Sequence, residues 1–110
     1  MLDWNEYSKS VRARAGEFGT LAPEAMSGFR ALGSAPQKHL PPKMHELIAL
    51  SVAVTTRCDG CIGSHVQAAL KHGATREEIA EALSTAIALN AGAAFVYTTR
   101  VLDAVDAFDK

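Results

Sequence analysis

The segment Lys43-Met44-His45-Glu46-Leu47-Ile48-Ala49-Leu50-Ser51-Val52-Ala53-Val54-Thr55-Thr56 carries apolar side chains on nearly every side of a helix drawn through it. It is too long for an ordinary strand, and Met44, Leu47, Ile48 and Leu50 recur at helical rather than alternating spacing. A helix that is apolar all round belongs inside a protein, so residues 43–56 are expected to form a central helix surrounded by the rest of the chain.

Reading outward from it, Arg57 ends the run, and Cys58-Asp59-Gly60-Cys61-Ile62-Gly63-Ser64-His65 opens a new helix. That helix continues through Val66, Ala69 and Leu70 to the stop signal His72-Gly73. Thr75-Arg76-Glu77-Glu78 has the form of a capping box, followed by Ile79, Leu83, Ala86 and Ile87 at helical spacing. Asn90-Ala91-Gly92 is expected to break or bend the chain before a last helix through Phe95, Val96, Leu102, Val105 and Phe108. On the other side, Ser34 to Pro42 holds three prolines and reads as a loop whose last two prolines set up the central helix. Before it, Pro23 starts a helix that stops at Gly33 and buries Met26, Phe29 and Leu32. Trp4, Tyr7, Val11 and Phe18 mark an amphipathic N-terminal helix expected to end around Gly16 or Gly19. No segment alternates as a half-buried strand does. The expected fold is therefore all-α, a single-domain helical bundle over residues 1–110.

Composition supports this and removes several function classes. Apolar residues make up 48% of the 110, but aromatics only 6%, so the interior must be built from Ala, Leu, Val and Ile in close helix packing. A domain of this size has modest stability alone, and partner subunits would help. The net charge of −1 leaves no electrostatic footprint for nucleic acid. The start, Met1-Leu2-Asp3-Trp4-Asn5-Glu6, has an acid where an export signal has a cationic region. The longest apolar stretch, Ala86 to Tyr97, is shorter than the roughly 20 residues that cross a bilayer. A cytoplasmic protein without membrane or nucleic-acid partners is expected. In a reducing compartment, a close cysteine pair points to redox catalysis, redox sensing or metal binding rather than to a structural staple.

Both cysteines of the chain lie in that pair, with His65 four residues after Cys61. On a helix, positions 58, 61 and 65 share one face. Only a thiolate attacks peroxides, disulfides or metals, so something must make one thiol acidic. Two devices are visible and they favour different sulfurs. Free N–H groups at the helix start favour negative charge on Cys58, whereas His65 is placed to take the proton of Cys61. Arg57 assists either, and Asp59 opposes both. A zinc site needs a fourth ligand, which His39, His45 or His72 would have to supply through folding or from another subunit. Buried, inert cysteines are the remaining alternative.

Glu46 lies one turn into the most apolar helix. Facing inward, its carboxylate would be costly to desolvate and suited to moving protons; facing outward, it would merely complement the helix N-terminus. Period alone leaves both open. If the helices on either side of Arg57 fold back on each other, the 1.5 Å rise per residue brings Glu46 nearer the level of His65 than of Cys58. A relay from Glu46 to His65 to Cys61 follows, with a water possible at either step.

Glu46, eleven intervening residues, Cys58-x-x-Cys61 and three more before His65 resemble the signature of the alkyl hydroperoxide reductase D-like proteins within the carboxymuconolactone decarboxylase superfamily. Glu46-Leu47-Ile48-Ala49-Leu50 and Gly73-Ala74-Thr75-Arg76-Glu77-Glu78-Ile79 are similar to the family as well, over roughly residues 20 to 108. The resemblance implies an all-helical fold assembled as a homo-oligomer, often a trimer or hexamer. It implies a thiol peroxidase in which Cys61 attacks the hydroperoxide, Cys58 closes the disulfide, and Glu46 with His65 moves the proton. No cofactor or metal is implied. The implied partner is a dithiol reductant or a lipoyl- or thioredoxin-like protein. One position departs from the best-known peroxidase of the family, which has a histidine where this chain has Gly60. The family name suggests a second function, decarboxylation of a lactone, although its decarboxylases lack the cysteine pair. A redox-sensing or metal-binding CxxC scaffold is the third.

Overall fold

The computed structural model describes residues 1–109, and among them every regular element is an α-helix. These are α1 (Trp4–Leu21), α2 (Pro23–Gly33), α3 (Pro42–Thr56), α4 (Asp59–Lys71) and α5 (Arg76–Phe108). The all-α single-domain expectation holds.

Each helix start has a local chemical cause. Asp3 Oδ1 accepts the Glu6 N–H at 3.2 Å and caps α1. Pro23 and Pro42 are first residues of α2 and α3, where a missing N–H costs nothing. At α5 the capping box is complete, with Thr75 Oγ1 accepting the Glu78 N–H at 3.0 Å and Glu78 Oε1 accepting the Thr75 N–H at 2.9 Å. Gly73, at φ +82°, turns the chain between α4 and α5 in a conformation that glycine adopts without strain.

Three expectations are corrected. The first helix runs through Gly16 and Gly19 to Leu21. What stops it is Pro23, which drives the preceding Ala22 out of the helical region to φ −135°. Gly19 instead permits close approach of α2, since a Cβ there would stand 3.3 Å from the Met26 side chain. Asn90-Ala91-Gly92 does not break the chain either, and α5 continues to Phe108. Asn90 Nδ2 donates to Ala86 O at 2.7 Å within the helix and to Thr55 Oγ1 at 2.9 Å on α3, so it fastens the helix instead of ending it. Third, α3 is not surrounded within the chain. Only Leu50 and Ala53 are buried, while Met44, Ile48, Val52 and Val54 remain exposed.

The reason lies in how few helices meet. α4 and α5 pack on α3, α1 packs on α4, and α2 touches α1 alone, so a further expectation fails as well: Phe29 and Leu32 of α2, read as buried, are 71% and 78% exposed. Leu50, Ala69 and Ala74 form the core, with Leu47, Val66, Ile79 and Leu83 against it. Ser51 Oγ donates to Leu47 O and to Ala82 O, and Lys43 Nζ meets Glu78 Oε2 at 2.8 Å, so α3 and the first half of α5 are also tied by polar contacts. Beside them an apolar groove of about 890 Å³ runs between Met44, Ile48 and Val52 of α3 and Ala82 and Leu89 of α5.

At 1.5 Å per residue, α5 is about 50 Å long, and its second half leaves the bundle. Phe95, Leu102 and Phe108 are 76%, 65% and 88% exposed. The radius of gyration, 18.7 Å, exceeds the roughly 13 Å of a compact chain this long. Taken whole, α5 also has the length and mean hydropathy of a membrane-crossing helix, which the shorter apolar run within it lacks.

Candidate active site at the start of α4

The turn from α3 into α4 is made by one residue. Arg57 takes a left-handed conformation, φ 55° and ψ 48°, and its N–H closes on Ala53 O. A non-glycine side chain there costs on the order of 1 kcal/mol, and in exchange the next residue begins a new helix at once. Cys58 is that residue. Its extended backbone, φ −97° and ψ 96°, makes it the N-cap of α4, and its Sγ accepts the Cys61 N–H at 3.1 Å. A sulfur thus fills the place that a serine or aspartate oxygen takes at most helix starts.

Cys58 and Cys61 form a disulfide, with Cα atoms 5.2 Å apart. The expected face is therefore modified: Cys61 and His65 lie one helical turn apart on α4, but Cys58 reaches Cys61 from outside the helix as its cap.

Glu46 faces inward. Its Oε2 lies 2.7 Å from His65 Nδ1, and its side chain is only 17% exposed against 39% for the imidazole. When the carboxylate is ionised it can only accept, so Nδ1 carries the hydrogen, and in the neutral ring Nε2 then keeps a free lone pair. The outward-facing alternative for Glu46 is thereby excluded. The antiparallel fold of α3 and α4 around Arg57 brings these two residues level, as the helical rise required.

Two contributions were not visible in the sequence. Trp4, Ser8 and Val11 of α1 lie over Gly60 and Gly63, on the side of α4 away from Cys61 and His65. A Cβ on Gly63 would stand 3.2 Å from Ser8 Oγ and 3.6 Å from the Trp4 ring, and one on Gly60 would stand 3.8 Å from Val11 Cγ1. Gly60 and Gly63 thus give α1 a close seat on α4. The only available signal was the spacing of the two glycines, which matches one helix face. The second is the left-handed Arg57, for which the sequence offers no glycine or asparagine as a cue.

His39 and His72 are exposed, and His45 has its Nε2 buried without a hydrogen-bond partner. Among the described residues no group of three or more His, Cys, Asp or Glu side chains is placed to hold a metal ion.

The model of the Carboxymuconolactone decarboxylase family matches residues 21–104. An uncharacterized protein of Haemophilus influenzae is 49% identical over 104 residues, covering 93% of this chain and 92% of its own. Another, from Cupriavidus necator, is 36% identical over 101 residues, covering 90% and 89%. The crystal structure of a carboxymuconolactone decarboxylase family protein from Legionella pneumophila, in its apo form, superposes with a TM-score of 0.74. It is 36% identical, over 97% of each chain.

Proposed function

We propose that this chain, which belongs to the carboxymuconolactone decarboxylase family, is an alkyl hydroperoxide reductase D-like thiol peroxidase that cycles Cys58 and Cys61 between dithiol and disulfide. The observation that carries the reading is the Glu46–His65 hydrogen bond beside a closed Cys58–Cys61 pair. A carboxylate that holds Nδ1 leaves Nε2 to accept the Cys61 proton, and the resulting imidazolium keeps its partner.

The chemistry balances as follows. Cys61, deprotonated by His65, attacks the outer peroxide oxygen; the O–O bond breaks, the alkoxide takes the proton from His65, and an alcohol leaves Cys61 as sulfenic acid. The Cys58 sulfur then attacks the Cys61 sulfur, the S–O bond breaks, and water leaves with the remaining proton. An external dithiol, free or borne on a lipoyl- or thioredoxin-like protein, restores both thiols by exchange and is itself oxidised to a disulfide. Cytoplasmic residence belongs to the same reading, because the cycle needs a reducing supply.

Assembly with copies of itself is part of the proposal, supported by the apolar second half of α5 and the groove between α3 and α5. The charges Arg100, Asp103 and Asp106 on that half favour a protein partner over lipid.

The test is peroxide consumption with dihydrolipoamide as reductant. Wild type should turn over, and Cys61→Ser should lose activity entirely. Glu46→Gln should slow the reaction about 10²-fold or more while the fold is kept, the scale of one general acid–base contribution. A lactone decarboxylase or a metal scaffold would be inert in this assay, and a Cys61→Ser variant at full rate would end the assignment.

A further inference from the structure

We infer that Cys58 is the sulfur that bears the negative charge in the reduced protein, and that it holds this charge as the N-cap of α4, independently of Glu46 and His65. The inference deepens the peroxidase reading and rests on it for its consequence, but its test does not.

The argument starts from the turn. Arg57 is held left-handed, which leaves Cys58 extended and turned back over the first turn of α4. Its Sγ already accepts the Cys61 N–H at 3.1 Å while it is locked in a disulfide, where sulfur is a poor acceptor. When the bond is reduced, the same donor meets a thiolate, and a hydrogen bond to an ionised acceptor is much the stronger. The free N–H groups of the first turn add their partial positive charge. The donor is already in place before the charge forms.

The Glu46–His65 pair belongs to the other sulfur. His65 lies one turn beyond Cys61 on α4, and Glu46 reaches it from α3. The remaining neighbours do not reverse the order. Trp4, Ser8 and Val11, the α1 side chains nearest Gly60 and Gly63, do not ionise within the working range. Arg57 and Asp59 flank Cys58 with opposite charges, both from exposed positions where solvent screens them.

Two thiols with two separate supports then divide the work. Cys61 remains protonated until a substrate engages His65. Cys58 waits as the anion that closes the disulfide, so the sulfenic acid is captured without a further deprotonation, and the hydroxide expelled from Cys61 takes its proton from solvent. In the reverse step, opening of the disulfide by a dithiol, Cys58 is the better leaving group and the incoming sulfur bonds to Cys61.

The experiment is a pH titration of thiolate absorbance in the full chain, in Cys61→Ser and Cys58→Ser, each with and without Glu46→Gln. Serine at position 61 keeps the backbone N–H, so the cap survives in the first variant. Cys58 should be at least about tenfold more acidic than an ordinary thiol, whose pKa is about 8.5, and Glu46→Gln should leave it unchanged. Cys61, measured in Cys58→Ser, should respond to Glu46→Gln. An ordinary acidity at Cys58, or an equal response of both sulfurs to Glu46→Gln, overturns the inference. Should a variant fail to fold, brief alkylation of reduced wild type below neutral pH decides the matter: mass spectrometry should find Cys58 modified first, and Cys61 first would overturn it. A protein with this order of acidity but no peroxide turnover would sink the peroxidase reading alone.

Discussion

The two halves of α5 are similarly apolar and meet opposite fates. In the first, Ile79 and Leu83 lie against the core and Ala86 is 7% exposed. In the second, Phe95, Val101 and Leu102 are all more than 60% exposed. Small residues, Ala82 and Ala86, let the first half approach α3 closely enough for Ser51 Oγ to reach the Ala82 carbonyl at 3.2 Å. Asn90 is the last tie, and beyond it no other helix follows. Hydrophobic content supplies the tendency to be buried; only a facing surface realises it.

The sharpest way to break this contrast is truncation on each side of it. Leu50→Ala, beneath the packed half, should cost about 2–5 kcal/mol of unfolding free energy, whereas Leu102→Ala should cost no more than about 0.5 kcal/mol in a lone chain. Denaturant titration at several protein concentrations measures both. A large, concentration-dependent loss at Leu102 would show that the free half is covered by other copies.

A second, smaller effect sharpens the same point. Leu102→Asp should lower the particle mass seen by light scattering, with little change in helix content. Wild type that is already monomeric and floats with lipid vesicles would assign the free half to a membrane instead.

The smallest effect concerns the packed half alone. Lys43, bonded to Glu78 at 2.8 Å, together with the Thr75 N–H holds the Glu78 carboxyl below its ordinary range near 4.5. A carboxyl more acidic in the folded than in the unfolded state stabilises the fold above about pH 4.5, and this is lost as pH falls through the folded value. Melting temperatures measured on either side of that pH should show a slope that Glu78→Gln reduces. An unchanged slope would mean that this pair does not clamp the packed half.

The site shows a similar division. Glu46, Cys58, Cys61 and His65 could be read from spacing because each step is a few residues on a helix or one hairpin of two helices. The shared level of Glu46 and His65 needed only the rise per residue and an antiparallel return, whereas the inward turn of Glu46 did not follow from period. The seat of α1 on Gly60 and Gly63 could not be read that way, since Trp4 and Gly63 are far apart in the chain and no local pattern links them. Gly19 misled for the same reason: a glycine that ends a helix and one that admits a neighbour look alike until the neighbour is placed.

From the sequence alone came the helical class, the cap at Thr75, the start of α2 at Pro23 and the four candidate residues of the site. These depend on interactions three or four residues apart, which propensity and hydrogen-bond geometry dictate locally. The left-handed turn at Arg57, the unbroken α5, the open sides of α3 and the sulfur acting as a cap were decided by tertiary structure. Each depends on which surfaces meet, and distant surfaces are brought together only when the whole chain folds.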